Sequence, residues 1–236
     1  MTEPLVFLPG MMCDARLFAP QMTAFSGSTA VMVAPITLGE RIEEIGSALL
    51  SLLPAKFALA GHGMGGIVAM ELVRRAPDRV TRIALMDTNP LAEVPQVAAA
   101  REPLIIGAKA GRLGEVMRED VPPSCLAPGP QRVEVLNTVA QMALDLGPDI
   151  YVRQSRAMQR RRDQQPTLRR IKVPALVLCG QYDALNPVKR HSFMAEMIPH
   201  ADLAVIDGAG HLPTLEAPQA TTEALFAWMK QPYVLR

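Results

Sequence analysis

Three stretches carry residue types able to do chemistry. Gly61-His62-Gly63-Met64-Gly65-Gly66 puts four glycines into six residues. Between a strand and a helix such a run allows a very tight bend, and the helix N-terminus after it supplies free backbone N–H groups. A phosphate-binding turn is one reading, although the G-x-G-x-x-G spacing and a P-loop lysine are missing; a purely structural turn is another. Asp183 lies in Cys179-Gly180-Gln181-Tyr182-Asp183, where an aspartate on its own reads as a loop residue or a helix N-cap. His211 lies in Asp207-Gly208-Ala209-Gly210-His211-Leu212. Histidine changes protonation near neutral pH, and glycines ahead of it let a loop carry it against another backbone. Alone, a loop histidine reads as structural or solvated.

All three stretches follow short apolar runs, and the runs alternate with helical patterns. Leu5 to Leu8, Thr29 to Ala34, Phe57 to Ala60, Arg79 to Met86, Ala175 to Cys179 and Asp202 to Ile206 read as strands. Between them, Ala15 to Phe25, Arg41 to Leu53 and Pro187 to Ile198 read as helices, as does the segment after Gly66 up to Ala76. In the second of these helices Ile42, Ile45, Leu49 and Leu53 fall on one face before Pro54 stops it. A last helix is expected from Pro218 to Met229. Strands apolar on both faces and separated by helices predict an α/β fold with a mostly parallel central sheet flanked by helices. Such sheets place their sites beyond the C-terminal ends of the strands, where all three stretches fall. The alternation breaks at Thr88-Asn89-Pro90, and helix-like segments without a convincing strand run to about Arg170. The expected organisation is a core of residues 1–88 and 171–236 with a helical insertion of residues 89–170.

Composition narrows the function further. The chain has 236 residues, 49% hydrophobic and 20% charged, enough for one domain with a large core. A net charge of +1 and 4% aromatic residues argue against a nucleic-acid-binding surface. No apolar run is long enough for a membrane span, and the first ten residues lack the pattern of a signal peptide. Cys13, Cys125 and Cys179 are widely spaced and form no metal pattern, so a reducing, cytoplasmic setting without a metal site is expected.

Taken together the stretches resemble the α/β-hydrolase fold family over essentially the whole chain. That family orders its groups as nucleophile, acid and histidine, with the nucleophile on a strand–turn–helix elbow of pattern G-x-S-x-G. Gly61-His62-Gly63-Met64-Gly65 resembles the elbow, Asp183 falls at the acid position and His211 at the histidine position. Pro9-Gly10-Met11 resembles the segment after the first strand, and residues 89–170 fall where these enzymes carry a helical lid. The resemblance implies a small-molecule carboxylic ester or lactone as substrate, with amide and thioester as chemical relatives, and no cofactor. It also implies that the backbone N–H groups of Met11 and Met64 form the oxyanion hole.

The departure from the pattern is Gly63, which stands where the family has serine and offers no nucleophilic atom. Three explanations stay open: an engineered replacement that holds substrate unreacted, a natural ligand-binding protein, or an enzyme in which His211 and Asp183 activate water directly. Met12, Met64, Leu185 and Leu212 beside the expected site suggest an apolar pocket; His62 reads as a packing or hydrogen-bonding residue, with shaping the pocket mouth as the alternative. The run from Arg153 to Lys172 carries eight cations against Asp163 alone. Most of such a run is a solvated face, but Arg153 or Arg156 pointing inward would bind a substrate carboxylate.

Overall fold

The computed structural model describes residues 3–233. In chain order its elements are β1 (Leu5–Leu8), α1 (Ala19–Phe25), β2 (Val31–Val33), α2 (Ile42–Leu52), β3 (Phe57–His62), α3 (Met64–Arg75) and β4 (Val80–Met86). Five helices follow before the next strand: α4 (Pro95–Lys109), α5 (Leu113–Asp120), α6 (Arg132–Leu146), α7 (Pro148–Gln159) and α8 (Gln165–Leu168). The chain then returns through β5 (Ala175–Gly180), α9 (Val188–Met197), β6 (Ala201–Ile206), α10 (Pro213–Glu216) and α11 (Pro218–Met229).

The strands form one sheet of order β2-β1-β3-β4-β5-β6, and every pair is parallel. Side chains alternate across it. Leu5 and Phe7 enter a core layer with Phe18, Phe25, Leu225 and Trp228, whereas Val6 and Leu8 enter the opposite layer with Ile45, Leu49, Val68 and Leu72. Both layers are buried, which is why β1, β3 and β5 read as unbroken apolar runs. Each fully buried Leu or Phe contributes about 1.5–3 kcal/mol, so these layers rather than surface ion pairs hold the sheet.

Two elements depart from expectation for local reasons. The helix over residues 15–25 divides into a 3-10 turn, Ala15–Phe18, and α1. Asp14 caps the turn by accepting from the Arg16 N–H at 2.9 Å, and Pro20 supplies no N–H to continue the ladder through it. β6 is the sheet edge, so its Asp202 and Leu203 are exposed although the run reads as a buried strand. The five helices between β4 and β5 pack as α4 on α7 and α5 on α6. Their two ends are drawn together by the Gln164 N–H, which donates to the Pro90 carbonyl at 2.7 Å. No helix among the described residues is long and apolar enough to cross a membrane.

Candidate active site

The site begins at the β3–α3 turn. Gly63 adopts φ +52° and ψ −117°, a conformation that strains any residue with a side chain. The turn is pressed onto the end of β1: a Cβ on Gly65 would lie 2.2 Å from the Leu8 carbonyl oxygen, so only glycine fits there. Thr88 locks the turn from the other side, its hydroxyl donating to the Gly63 carbonyl at 2.6 Å. At Gly63 itself the space is open. The nearest atoms to a Cβ would be Gly10 Cα at 3.7 Å and His211 Nε2 at 3.9 Å, both ordinary contacts.

His211 reaches this spot from the loop after β6. Its Nδ1 lies 3.0 Å from Asp183 Oδ2, and the other Asp183 oxygen accepts the N–H groups of Leu185 and Asn186 at 2.9 Å each. The Asp183 side chain is fully buried. Burial opposes its charge, but His211, the Asn186 N–H and Asp87 outweigh that penalty and hold its carboxyl below the usual range. The His211 loop is pinned at several points. Its own N–H donates to the Cys125 carbonyl at 2.7 Å, and the buried Glu216 carboxylate accepts from Gly210, Leu212 and Ala127. His62 Nε2 meets the His211 carbonyl at 2.7 Å; burial, reinforced by His211, pushes the His62 pKa down to about 3, so a neutral ring donates there.

Behind Asp183 sits a second buried carboxyl, Asp87, at the end of β4 with φ +45°. Its Oδ1 accepts the Gly180 N–H at 3.0 Å, and its side chain is hydrogen-bonded to that of Asp183. Burial first, then the Asp183 charge, raises its pKa well above the ordinary value, so Asp87 holds its proton while Asp183 is ionised. Asp87, Asp183 and His211 bring ligand-type atoms within 4.8 Å of one another. Those atoms are largely committed to each other and to backbone N–H groups, an arrangement suited to sharing a proton. A raised folded-state pKa stabilises below the unfolded value and loses that contribution as pH climbs toward the folded one. Asp87→Asn, which keeps the acceptor and replaces the proton-bearing oxygen with an NH2 donor, is therefore expected to raise Tm at pH 8 and to lose that advantage at pH 4.5. Thermal melts at the two pH values check it.

Two backbone N–H groups flank the open spot, those of Met11 and Met64, and neither has a hydrogen-bond partner among the described residues. The Met11 loop is held by a residue from the insertion. Met12 takes φ +54°, and its N–H donates to Gln154 Oε1 at 2.8 Å, while Gln154 Nε2 donates to the Ile36 carbonyl at 3.3 Å. Gln154→Leu leaves the buried Met12 N–H unpaired at about 1–3 kcal/mol and frees the loop. In a Gly63→Ser background it is expected to lower kcat about 100-fold with KM little changed. Steady-state kinetics on one ester check it.

These groups open onto a cavity of about 500 Å³ lined by Gly10, Met11, Met12, His62, Gly63, Met64, Leu185, His211 and Leu212, with helix residues from the insertion closing it. Met117 and Met158 add to its flexible, apolar wall. Arg153 and Arg156 are not among the lining residues. α7 turns Tyr151, Gln154 and Ser155 inward, and Arg156 is spent on Glu102 and Gln159. The cations in the wall are Arg101, Arg161 and Arg190. Sequence reasoning also passed over Thr88, Gln154, Glu216 and Asp87; only Asp87, a carboxylate directly after a strand, carried a readable signal.

A parallel sheet with an elbow after β3 and an acid–histidine couple after β5 and β6 defines a hydrolase scaffold. Residues 5–224 match the Alpha/beta hydrolase family, and the chain belongs to it. It is 27% identical over 230 residues to the pimeloyl-[acyl-carrier protein] methyl ester esterase of Aromatoleum aromaticum, covering 89% of this chain and 86% of that one. Among solved structures it is similar to a thermophilic esterase from Thermogutta terrifontis with malate bound, at TM-score 0.88 and 26% identity over 97% of this chain and 89% of that one. The enol-lactonase of Burkholderia xenovorans LB400 shares the fold at TM-score 0.84 and 24% identity, over 98% and 93% of the two chains.

Proposed function

We propose that the cavity binds a small-molecule carboxylic ester or lactone, and that Gly63 occupies the position of the nucleophile. In this reading His211 is the general base, Asp183 orients it and stabilises its charged form, and the Met11 and Met64 N–H groups receive the developing oxyanion. Residues 89–170 act as the lid. One observation carries the reading: a Cβ at position 63 would have open space and lie 3.9 Å from His211 Nε2, while the His211–Asp183 pair behind it is intact at 3.0 Å. The Aromatoleum esterase, whose substrate is a methyl ester, supports the ester class. Lactones call for the same attack on a carbonyl. The parent chain cannot form an acyl-enzyme and is catalytically silent by that route, as in a protein altered to hold its substrate. The three buried, unpaired cysteines suit work in the cytoplasm.

The test is Gly63→Ser, assayed with p-nitrophenyl esters and small lactones. Turnover in the variant that vanishes with His211→Ala supports the reading. Turnover already present in the parent and abolished by His211→Ala favours direct water activation, a second reading suggested by the room beside His211. Absence of turnover in both would overturn the nucleophile assignment and leave a ligand-binding protein.

A further inference from the structure

The cavity wall holds a cationic cluster that the hydrolytic groups do not use. Glu93, 2% exposed in its side chain, is shared by two arginines of the insertion. Arg101 grips it with Nε at 2.8 Å and Nη2 at 3.0 Å, and Arg161 adds Nη1 at 2.9 Å. Arg161 Nε is satisfied by the Leu91 carbonyl at 3.0 Å. One carboxylate between two guanidinium groups leaves a positive charge in excess. The remaining acid of this wall, Asp120, lies in the field of Arg101 and accepts the Tyr151 hydroxyl at 2.5 Å, while burial raises its pKa. Arg190 adds a third cation with no acidic partner among the described residues.

Donors are left over as well as charge. Arg101 Nη1 faces only the Met11 sulfur at 3.8 Å, a weak acceptor, and Arg161 Nη2 has no acceptor among the described residues. A partly desolvated guanidinium with idle N–H groups favours an anion, and its planar fork matches a carboxylate. The contact with Met11 places Arg101 next to the loop whose N–H flanks Gly63. Val97, Val121 and Val139 supply aliphatic wall around it.

We infer that Arg101 and Arg161 form a carboxylate-binding subsite, so that the substrate is an ester or lactone carrying a second, ionised carboxylate on a short aliphatic chain. This rests on the ester and lactone reading of the same cavity and narrows its substrate class.

The parent chain allows a binding test without turnover. Isothermal titration of monomethyl succinate, glutarate and adipate is compared with their dimethyl esters. At least one half-ester is expected to bind about tenfold or more tighter than its diester. Glu93→Gln, which releases both guanidinium groups, is expected to increase that preference while lowering Tm; a merely structural cluster would lose both together. Half-esters binding no better than diesters across the series, or not at all, would overturn the subsite, and this comparison needs no variant to fold. A folded Glu93→Gln protein with weakened half-ester binding would overturn it too. Hydrolysis of neutral p-nitrophenyl acetate by Gly63→Ser is measured separately. Turnover there without half-ester preference removes the subsite alone. Half-ester preference without turnover of p-nitrophenyl acetate or of the half-esters by Gly63→Ser supports the anion site and removes the hydrolytic reading.

Discussion

Gly63→Ser is expected to raise p-nitrophenyl ester hydrolysis by about 10⁴-fold or more over the parent chain, the scale lost when a serine nucleophile is removed elsewhere. The new Cβ would sit 3.7 Å from Gly10 Cα and 3.9 Å from His211 Nε2, so it displaces nothing. A hydroxyl one bond further out comes within hydrogen-bonding reach of that nitrogen. Serine at φ +52° is strained, a cost of about 1–3 kcal/mol. Tm should therefore fall by about 2–4 °C for each kcal/mol while activity rises. Opposite signs in the two measurements identify a position at which backbone strain serves chemistry. A gain in rate that survives His211→Ala would mean that the serine reacts without the histidine and would defeat the assignment.

The second large effect is Asp183→Asn in the Gly63→Ser background, with kcat expected to fall about 10⁴-fold in a variant that still folds. The amide oxygen can keep both backbone donors, Leu185 and Asn186, which Asp183 Oδ1 holds at 2.9 Å. The NH2 then faces His211 Nδ1 and makes that nitrogen an acceptor. The ring proton is driven onto Nε2, the nitrogen that must take the proton from position 63. A pH–rate profile distinguishes this from simple damage, because the wrong tautomer lowers the plateau at every pH below strongly alkaline conditions. A loss below tenfold would show that Asp183 does not set the tautomer.

Much of the fold could be read from residue patterns because both sheet faces are covered. Runs such as Leu5 to Leu8 and Ala175 to Cys179 have no polar side to confuse them, and proline or glycine marks their ends. That Gly63, Asp183 and His211 come together was legible for a similar reason: each lies within five residues of the end of a strand, and their order matches a known pattern. The cationic wall was not. Charge density pointed to Arg153 and Arg156, whereas packing of α7 against α4 selects Arg161 and Arg101. Which face of a helix meets a cavity depends on neighbours distant in the chain, and local spacing carries no record of them. Gln154 illustrates the limit, for nothing near it in sequence announces a bond to Met12, 142 positions away.

The fastening of the insertion has a consequence for how molecules come and go. It is tied to the histidine loop at Cys125, to the Met11–Met12 loop at Gln154, and to itself through Gln164 and Pro90. Swinging it away as a rigid flap would break the backbone contacts that hold the reacting groups in register. Ligand exchange is instead expected past the exposed part of the cavity wall, where Val94 and Val97 are 55% and 48% exposed. Slow amide exchange at Met12 and His211, whose N–H groups donate to Gln154 and Cys125, is the signature of an insertion that stays fastened. Bulkier side chains at Val94 or Val97 would then slow ligand arrival and departure while leaving equilibrium affinity in place.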